Sequence, residues 1–247
     1  METSVYEAEY RHEMSHWWYV ERRRLFRKVI KTYFPETRDI RCADIGSSTG
    51  ANLTLFSEIG ALVCVGLEYE YGAIQLAKNK SSIPLLQGSG EELPFDQDSF
   101  DLVTCTDVLE HIRKDQTTVN EIHRVLRPGG YALITVPAFQ FLWGHQDEVS
   151  HHLRRYRRRE IEKILTQAGF KIIESFYFNW ILFFPVLLVR LISRIVPFKM
   201  RSEGDINSPF INKILTFVFR FDCTLARRFP IPFGVSALIL ARSVPSE

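Results

Sequence analysis

Short apolar runs alternate with amphipathic stretches along most of this chain, and that alternation sets the expected elements. Ile40, Cys42, Ala43 and Ile45 form an apolar run that ends in Ala43–Gly50 (Ala-Asp-Ile-Gly-Ser-Ser-Thr-Gly). Leu53, Leu55, Phe56 and Ile59 follow as an amphipathic segment, so the stretch reads as strand, turn and helix. Leu62–Tyr69 predicts a second buried strand, Tyr71–Lys80 a short helix, and Pro84–Ser89 a third strand that runs into the loop Gly88–Phe95. Phe100–Asp107 predicts a fourth strand and Val119–Leu126 a helix. Arg127-Pro128-Gly129-Gly130 reads as a helix stop and turn, and Tyr131–Val136 as a fifth strand. Arg158–Ala168 is then a helix closed by Gly169, Phe170–Phe178 a sixth strand, and Val235–Arg242 the last.

Strands and helices that alternate over short connections imply a parallel sheet with helices on both faces. Ligands on such sheets bind at the carboxyl ends of the strands, where Asp44, Glu68, Ser89, Asp107 and Pro137 all fall. The glycines at 46 and 50 let a ligand approach the backbone, and the helix behind them offers free N–H groups. Glu68, about 20 residues past the glycine loop, is placed to accept hydrogen bonds from two ribose hydroxyls.

Two regions flank this core. Residues 1–39 read as a helical cap with an aromatic face (Trp17, Trp18, Tyr19) and the run Arg22, Arg23, Arg24, which suits either packing or a lid facing an anionic group. Between the sixth and last strands, Ile181–Phe198 and Phe210–Phe221 are strongly apolar. Arg190 and Arg194 near the middle of the first exclude a membrane span. Basic residues outnumber acidic ones here: Arg190, Arg194, Lys199, Arg201, Lys213, Arg220, Arg227 and Arg228 against Glu203, Asp205 and Asp222. Apolar faces bordered by Arg and Lys suit helices lying in the interface of an anionic membrane; packing against a second copy, or around a hydrophobic substrate, is the alternative.

Composition narrows the picture. With 247 residues, 46% of them hydrophobic, the chain fits one domain: a helical cap at 1–39, a core at 40–178, a helical insertion at 179–233 and the last strand within 234–247. A net charge of +2 gives no reason to expect nucleic acid. Cys42, Cys64, Cys105 and Cys223 have no metal spacing and the first three fall in predicted strands, so thiols in a reducing cytosol are expected. No signal-peptide segment opens the sequence. The expected location is cytoplasmic, with contact at the inner membrane face through the insertion.

Together, Ala43–Gly50, Glu68, Gly88–Phe95, Ser99–Ile112 and Glu121–Pro137 resemble the class I S-adenosylmethionine-dependent methyltransferases over roughly residues 38–178 plus the final strand. The resemblance implies a Rossmann-like seven-stranded α/β sheet whose last strand is antiparallel. It implies S-adenosyl-L-methionine as cofactor and S-adenosyl-L-homocysteine as product. Asp44, Gly46, Ser47 and Gly50 would meet the amino-acid end of the cofactor, Glu68 its ribose, Tyr69 and the Ser89-Gly90-Glu91 loop its adenine, and Thr106 and Asp107 its sulfonium. Two positions depart from the family pattern: Ser48 stands where Gly is frequent, and Ser89 where Asp is. A narrower resemblance, to methyltransferases of the ubiquinone/menaquinone-biosynthesis type, rests on His16–Arg23 and on Trp143-x3-Asp147-x4-His152-x-Arg154-Arg155-Tyr156. Trp18, Arg22, Arg23, Trp143, Arg154, Arg155 and Tyr156 are accordingly expected to bind substrate.

Transfer to a hydroxyl needs a group that takes its proton, and His152, oriented by Asp147, is the candidate. Arg154 and Arg155 suit a bidentate clamp on phosphate or carboxylate. No metal is expected. The expected activity is O-methylation of a hydrophobic, lipid-linked or glycan-pathway acceptor, with a quinone precursor or a nitrogen acceptor as the alternative. Other classes fit less of the chain. Gly46-Ser47-Ser48-Thr49-Gly50 matches a hydrolase nucleophile elbow, with Asp107 and His152 in order behind it, but leaves Glu68 unused. A nicotinamide enzyme shares the first loop and ribose acid but lacks the full glycine pattern. A nucleic-acid or anion-binding module would use only the basic run at 151–159.

Overall fold

A computed structural model describes residues 3–35, 39–80, 82–195 and 208–244. Its centre is a seven-stranded sheet of order β3-β2-β1-β4-β5-β7-β6. The strands are β1 (Arg41–Ile45), β2 (Val63–Glu68), β3 (Leu85–Gln87), β4 (Phe100–Thr106), β5 (Leu126–Pro137), β6 (Phe170–Phe178) and β7 (Ser236–Ser243). Strands β1 to β5 are parallel; β7 runs antiparallel to both β5 and β6. This is the Rossmann-like α/β sheet expected, with its last strand reversed.

Alternation along each strand divides the core in two. Ala43, Ile45, Val103, Cys105, Ile134 and Val136 face α5 (Asp115–Val125) and α7 (Arg158–Gln167), through Val119, Ile122, Val125, Ile161 and Leu165. Cys42, Leu102, Leu133, Leu238 and Leu240 face the other way. They meet Leu25, Phe26, Val29 and Ile30 of α2 (Trp17–Tyr33), Leu53 and Phe56 of α3 (Ala51–Ile59), and Phe219 and Cys223 of α9 (Pro209–Ala226). The remaining helices are α1 (Thr3–His12), α4 (Tyr71–Lys78), the short α6 (His145–Val149) and α8 (Phe183–Ile195).

Two boundaries differ from the sequence expectation. Arg127–Gly130 lies inside β5, which starts directly at the end of α5; Leu126 pairs with Phe100, and a register shift between Phe100 and Leu102 absorbs the irregularity. Helix α5 starts at Asp115, because its polar first turn carries no apolar periodicity for the sequence to show.

Among its described residues the insertion holds two helices, α8 and α9. In α8, Pro185 sits in the first turn, where its missing N–H costs no intrahelical bond. Val196, Phe198, Lys199, Arg201, Glu203 and Asp205, which contributed to the apolar and basic reading, lie outside the described residues. Helix α9 is tied to the domain. Asp222, 1% exposed, accepts hydrogen bonds from the Asn179 and Ile181 amides at 2.7 and 2.8 Å. Arg220 donates to the buried Glu21 on α2 at 2.7 Å. Asn212 accepts from the Trp17 amide at 2.8 Å, acting at the start of α2. Phe219, fully buried, packs against Trp17, Trp18 and Phe178.

The same helix also carries Phe217, 73% exposed. We expect Phe219→Ala to destabilise the chain by about 3–5 kcal/mol, as for a large core aromatic. Phe217→Ala should change stability by less than about 0.5 kcal/mol. Urea unfolding of both variants checks the contrast.

Candidate active site

The strand order reverses direction beside β1: the chain runs outward through β2 and β3, then returns to β4. Such a switch opens a crevice at the carboxyl ends of the strands. Here it becomes a cavity of about 1010 Å³. Gly46, Ser47, Ser48, Glu68, Tyr69 and the Ser89-Gly90-Glu91 loop line one end.

The first loop is shaped by its backbone. Gly46 has φ +74, and a Cβ there would lie 2.3 Å from a methyl of Val108, so both conformation and space require glycine. The Gly46 and Ser47 amides donate to the Leu67 carbonyl at 2.8 and 3.0 Å, which fastens the loop to the end of β2. Gly50 has φ +88 and caps α3, away from the cavity wall. Glu68 accepts from the Ser48 amide at 2.7 Å and the Glu70 amide at 3.0 Å. Ser89 turns its hydroxyl back to the Glu91 amide, at 3.1 Å.

Carboxylates crowd this end. Asp44 is fully buried behind the wall rather than in it; one oxygen accepts from Thr104 and the other has no hydrogen-bond partner. Burial pushes its carboxyl up to about 7. Glu68 and Glu13 are pushed up by the same cause. Helix α1 and the residue after it add acids that the sequence reading assigned no role. Glu9 accepts from Ser48 Oγ at 2.7 Å, and the buried Glu13 accepts from Thr49 Oγ1 and from Lys80. The segment that carries α1 thus bonds directly to the glycine loop. A pyrophosphate laid on this loop would meet carboxylates; a cation would be welcomed.

At the far tip, Asp107 has φ +56, accepts from Thr135 Oγ1 at 3.2 Å and forms an ion pair with Arg22. Thr106 Oγ1 accepts from Asn52 at 2.9 Å. Arg23, also in the wall, donates to the Glu13 carbonyl at 2.6 Å. Trp18 lines the cavity and stacks on Phe178.

His152 and Asp147 come together: His152 Nδ1 lies 2.8 Å from Asp147 Oδ1. Asp147 is fully buried and also accepts from Arg155 Nε at 2.8 Å, Arg155 Nη2 at 2.9 Å and the Gly144 amide at 2.8 Å. These donors outweigh burial and hold its carboxyl at about 2. Arg155 is therefore engaged with Asp147. Arg154 pairs with Asp115 at 3.0 Å and does not line the cavity. Tyr156 is likewise turned inward, donating to the Leu109 carbonyl and Asp115 at 3.1 and 2.8 Å, and Trp143 lies off the wall. The arginine clamp expected from sequence thus has internal partners already.

Two further wall residues escaped the sequence reading, Glu110 and His111, which follow Asp107 on a 3-10 turn (Leu109–His111). Glu110 is fully buried with no hydrogen-bond partner on either oxygen, and burial raises its carboxyl well above the ordinary range. Burial pushes His111 down to about 3. The sequence signal was an adjacent Glu-His pair just past a strand tip. Beyond these residues the wall turns largely apolar, with Leu182, Val186 and Val189 around α8 and Leu215 of α9, and Arg190 of α8 as its charged member.

Residues 43–134 match the family model described as a methyltransferase domain. The chain is 30% identical over 128 residues to an uncharacterized methyltransferase of Mycolicibacterium gilvum, covering 50% of each protein. It is 27% identical over 125 residues to demethylmenaquinone methyltransferase of Corynebacterium kroppenstedtii, covering 48% of this chain and 54% of that one. The chain spans about half the length of the curated relatives it matches. Phosphoethanolamine N-methyltransferase 2 of Haemonchus contortus, solved with S-adenosyl-L-methionine, shares the fold at a TM-score of 0.58 and 22% identity, over 88% of this chain and 52% of that one.

The raised carboxyls carry a sign. Asp44 has an ordinary value of 3.8 and sits at about 7 in the fold. Between those values the folded chain keeps a proton that the unfolded chain has released, so stability falls as pH rises across that window. Urea unfolding at several pH values checks this. A cationic ligand favours the ionised acids, so its binding near neutral pH should release protons; calorimetry in two buffers of different ionisation enthalpy reads that release.

Proposed function

We propose, from the match of residues 43–134 to the methyltransferase domain model, that the protein moves the methyl group of S-adenosyl-L-methionine to a hydroxyl on a hydrophobic, lipid-linked or glycan-pathway acceptor. The observation that carries this reading is the change in character along one cavity. Its nucleoside end has Glu68, the Gly46 loop and a surplus of buried acids, which suit a ribose and a sulfonium cation. Its other end is apolar and bounded by α8 and α9. Between them stand Asp107 and His152.

Methyl transfer is an in-line displacement, so positioning contributes most of the acceleration. The acceptor oxygen forms the new C–O bond as the C–S bond breaks, and the acceptor proton must leave. His152, held through Nδ1 by Asp147, is the group through which the acceptor is activated. A quinone precursor is the second reading, favoured by the similarity to demethylmenaquinone methyltransferase.

The apolar helices support an acceptor drawn from a membrane surface. Phe184, Leu188, Leu191 and Ile192 of α8, with Phe210, Ile214, Phe217 and Phe221 of α9, are exposed. No helix among the described residues is long and apolar enough to cross a membrane. Each helix keeps an apolar side toward solvent, which suits an interfacial attachment; the inner side of α8 faces the cavity and that of α9 packs on α2 and β6.

Calorimetry with S-adenosyl-L-methionine tests the first half; absence of heat at high protein concentration defeats it. Labelled methyl transfer to lipid extracts, glycans and quinone precursors then identifies the acceptor. His152→Ala should lower turnover by about 10²–10⁴-fold and leave cofactor affinity unchanged. The chain should co-float with anionic liposomes, and Phe184→Glu with Phe217→Glu should abolish flotation; a parent chain that stays at the bottom of the gradient rules out the membrane attachment.

A further inference from the structure

Glu110 is a charge-bearing group of the cavity wall without a side-chain hydrogen bond among the described residues. It has no exposed surface, and neither carboxylate oxygen has a hydrogen-bond partner. A buried carboxylate without partners is costly, and such an exception in a native fold calls for a missing partner. Two imidazoles stand beside it. His111 is its chain neighbour, and His152 arrives from the loop after α6. One ligating atom from each of the three lies within 4.8 Å of the others. His152 Nε2 is 3.9 Å from Glu110 Oε1, and the two rings meet edge to face at 4.6 Å.

The other nitrogen of His152 is already used. Its Nδ1 is bonded to Asp147, which is itself fixed by Arg155 and the Gly144 amide. A carboxylate behind one imidazole nitrogen fixes ring and tautomer so that the opposite nitrogen presents its lone pair, the usual outer support of a metal-binding histidine.

We infer that Glu110, His111 and His152 form a binding site for a divalent metal ion of the zinc class, facing the acceptor end of the cavity. One carboxylate and two imidazoles, with coordination positions left over, are the ligands of catalytic zinc and related transition metals. Magnesium and calcium take oxygen donors and fit this set poorly. Ligand bonds of about 2.0–2.2 Å require the three atoms, which lie within 4.8 Å of one another, to draw closer when the ion binds.

The site deepens the reading above and rests on it for its purpose. An acceptor hydroxyl on the open position releases its proton to solvent more readily. Its oxygen lone pair then forms the C–O bond while sulfur keeps the pair of the broken C–S bond, giving S-adenosyl-L-homocysteine. His152 acts in this scheme as a metal ligand.

Equilibrium dialysis of the full chain against Zn²⁺, with elemental analysis, tests the site; calorimetry with S-adenosyl-L-methionine on the same protein tests the reading beneath it. One zinc ion per chain is expected. Glu110→Gln and His152→Gln should each weaken it by at least about tenfold while still binding the cofactor, which shows that they fold. If Glu110→Gln loses the cofactor as well, His152→Gln decides. Zinc uptake indifferent to both substitutions, or no uptake by a chain that binds the cofactor, overturns the inference. Zinc bound by the parent and lost in the variants, without cofactor heat in any of them, upholds the metal site and defeats the methyltransferase reading.

Discussion

Glu13, Asp44, Glu68 and Glu110 are buried around a single cavity, and the imbalance of charge they create governs the rest of the structure. Each would prefer water or a cation. Glu13 has Lys80 and the hydroxyl of Thr49; Glu68 has two backbone amides; Asp44 and Glu110 retain oxygens with no partner. The cationic side chains nearby are largely spoken for, Arg22 by Asp107 and Arg155 by Asp147. The fold therefore carries an unsatisfied demand for positive charge, and it carries it at two separate places in the cavity. In the reading proposed above, a sulfonium meets the demand at one end and a metal ion at the other.

That demand explains why the flanking elements sit where they do. Glu9 of α1 and Glu13 just beyond it accept from the hydroxyls of Ser48 and Thr49 in the glycine loop, so a phosphate there would meet like charge. Helices α8 and α9 wall the far end, where charge gives way to Leu182, Val186, Val189 and Leu215. Gly144 belongs to the same accommodation: a Cβ there would lie 2.1 Å from a guanidinium nitrogen of Arg190, an arginine of α8 that is buried against the cavity.

Much of the scaffold was legible because its signals are local. Phe170–Phe178 reads as a strand from its own residues, and Ala43–Gly50 reads as a turn between strand and helix from the apolar run before it and the amphipathic segment behind it. The misread stretch, Arg127–Gly130, carries strong turn residues, yet pairing with β4 draws it into β5; nothing in the local sequence announces a neighbouring strand. The site was legible in proportion to the same rule. His152 and Asp147 are close in sequence, and their hydrogen bond follows a short helix. Glu9 and Glu13 reach the loop across more than thirty positions of chain, so no spacing rule finds them. Arg154 and Arg155 looked available to a ligand because their anions, Asp115 and Asp147, could be matched to them only in three dimensions.

The position of β7 has a further consequence, for biosynthesis. This strand, latest in the chain, is an interior one, seated between β5 and β6. While a ribosome is still producing α8 and α9, the completed β5 and β6 each keep an open edge with no strand between them. Such edges invite pairing with other nascent chains, and the two apolar helices emerge during the same interval. Closure of the sheet and concealment of its edges thus arrive together, in one late event.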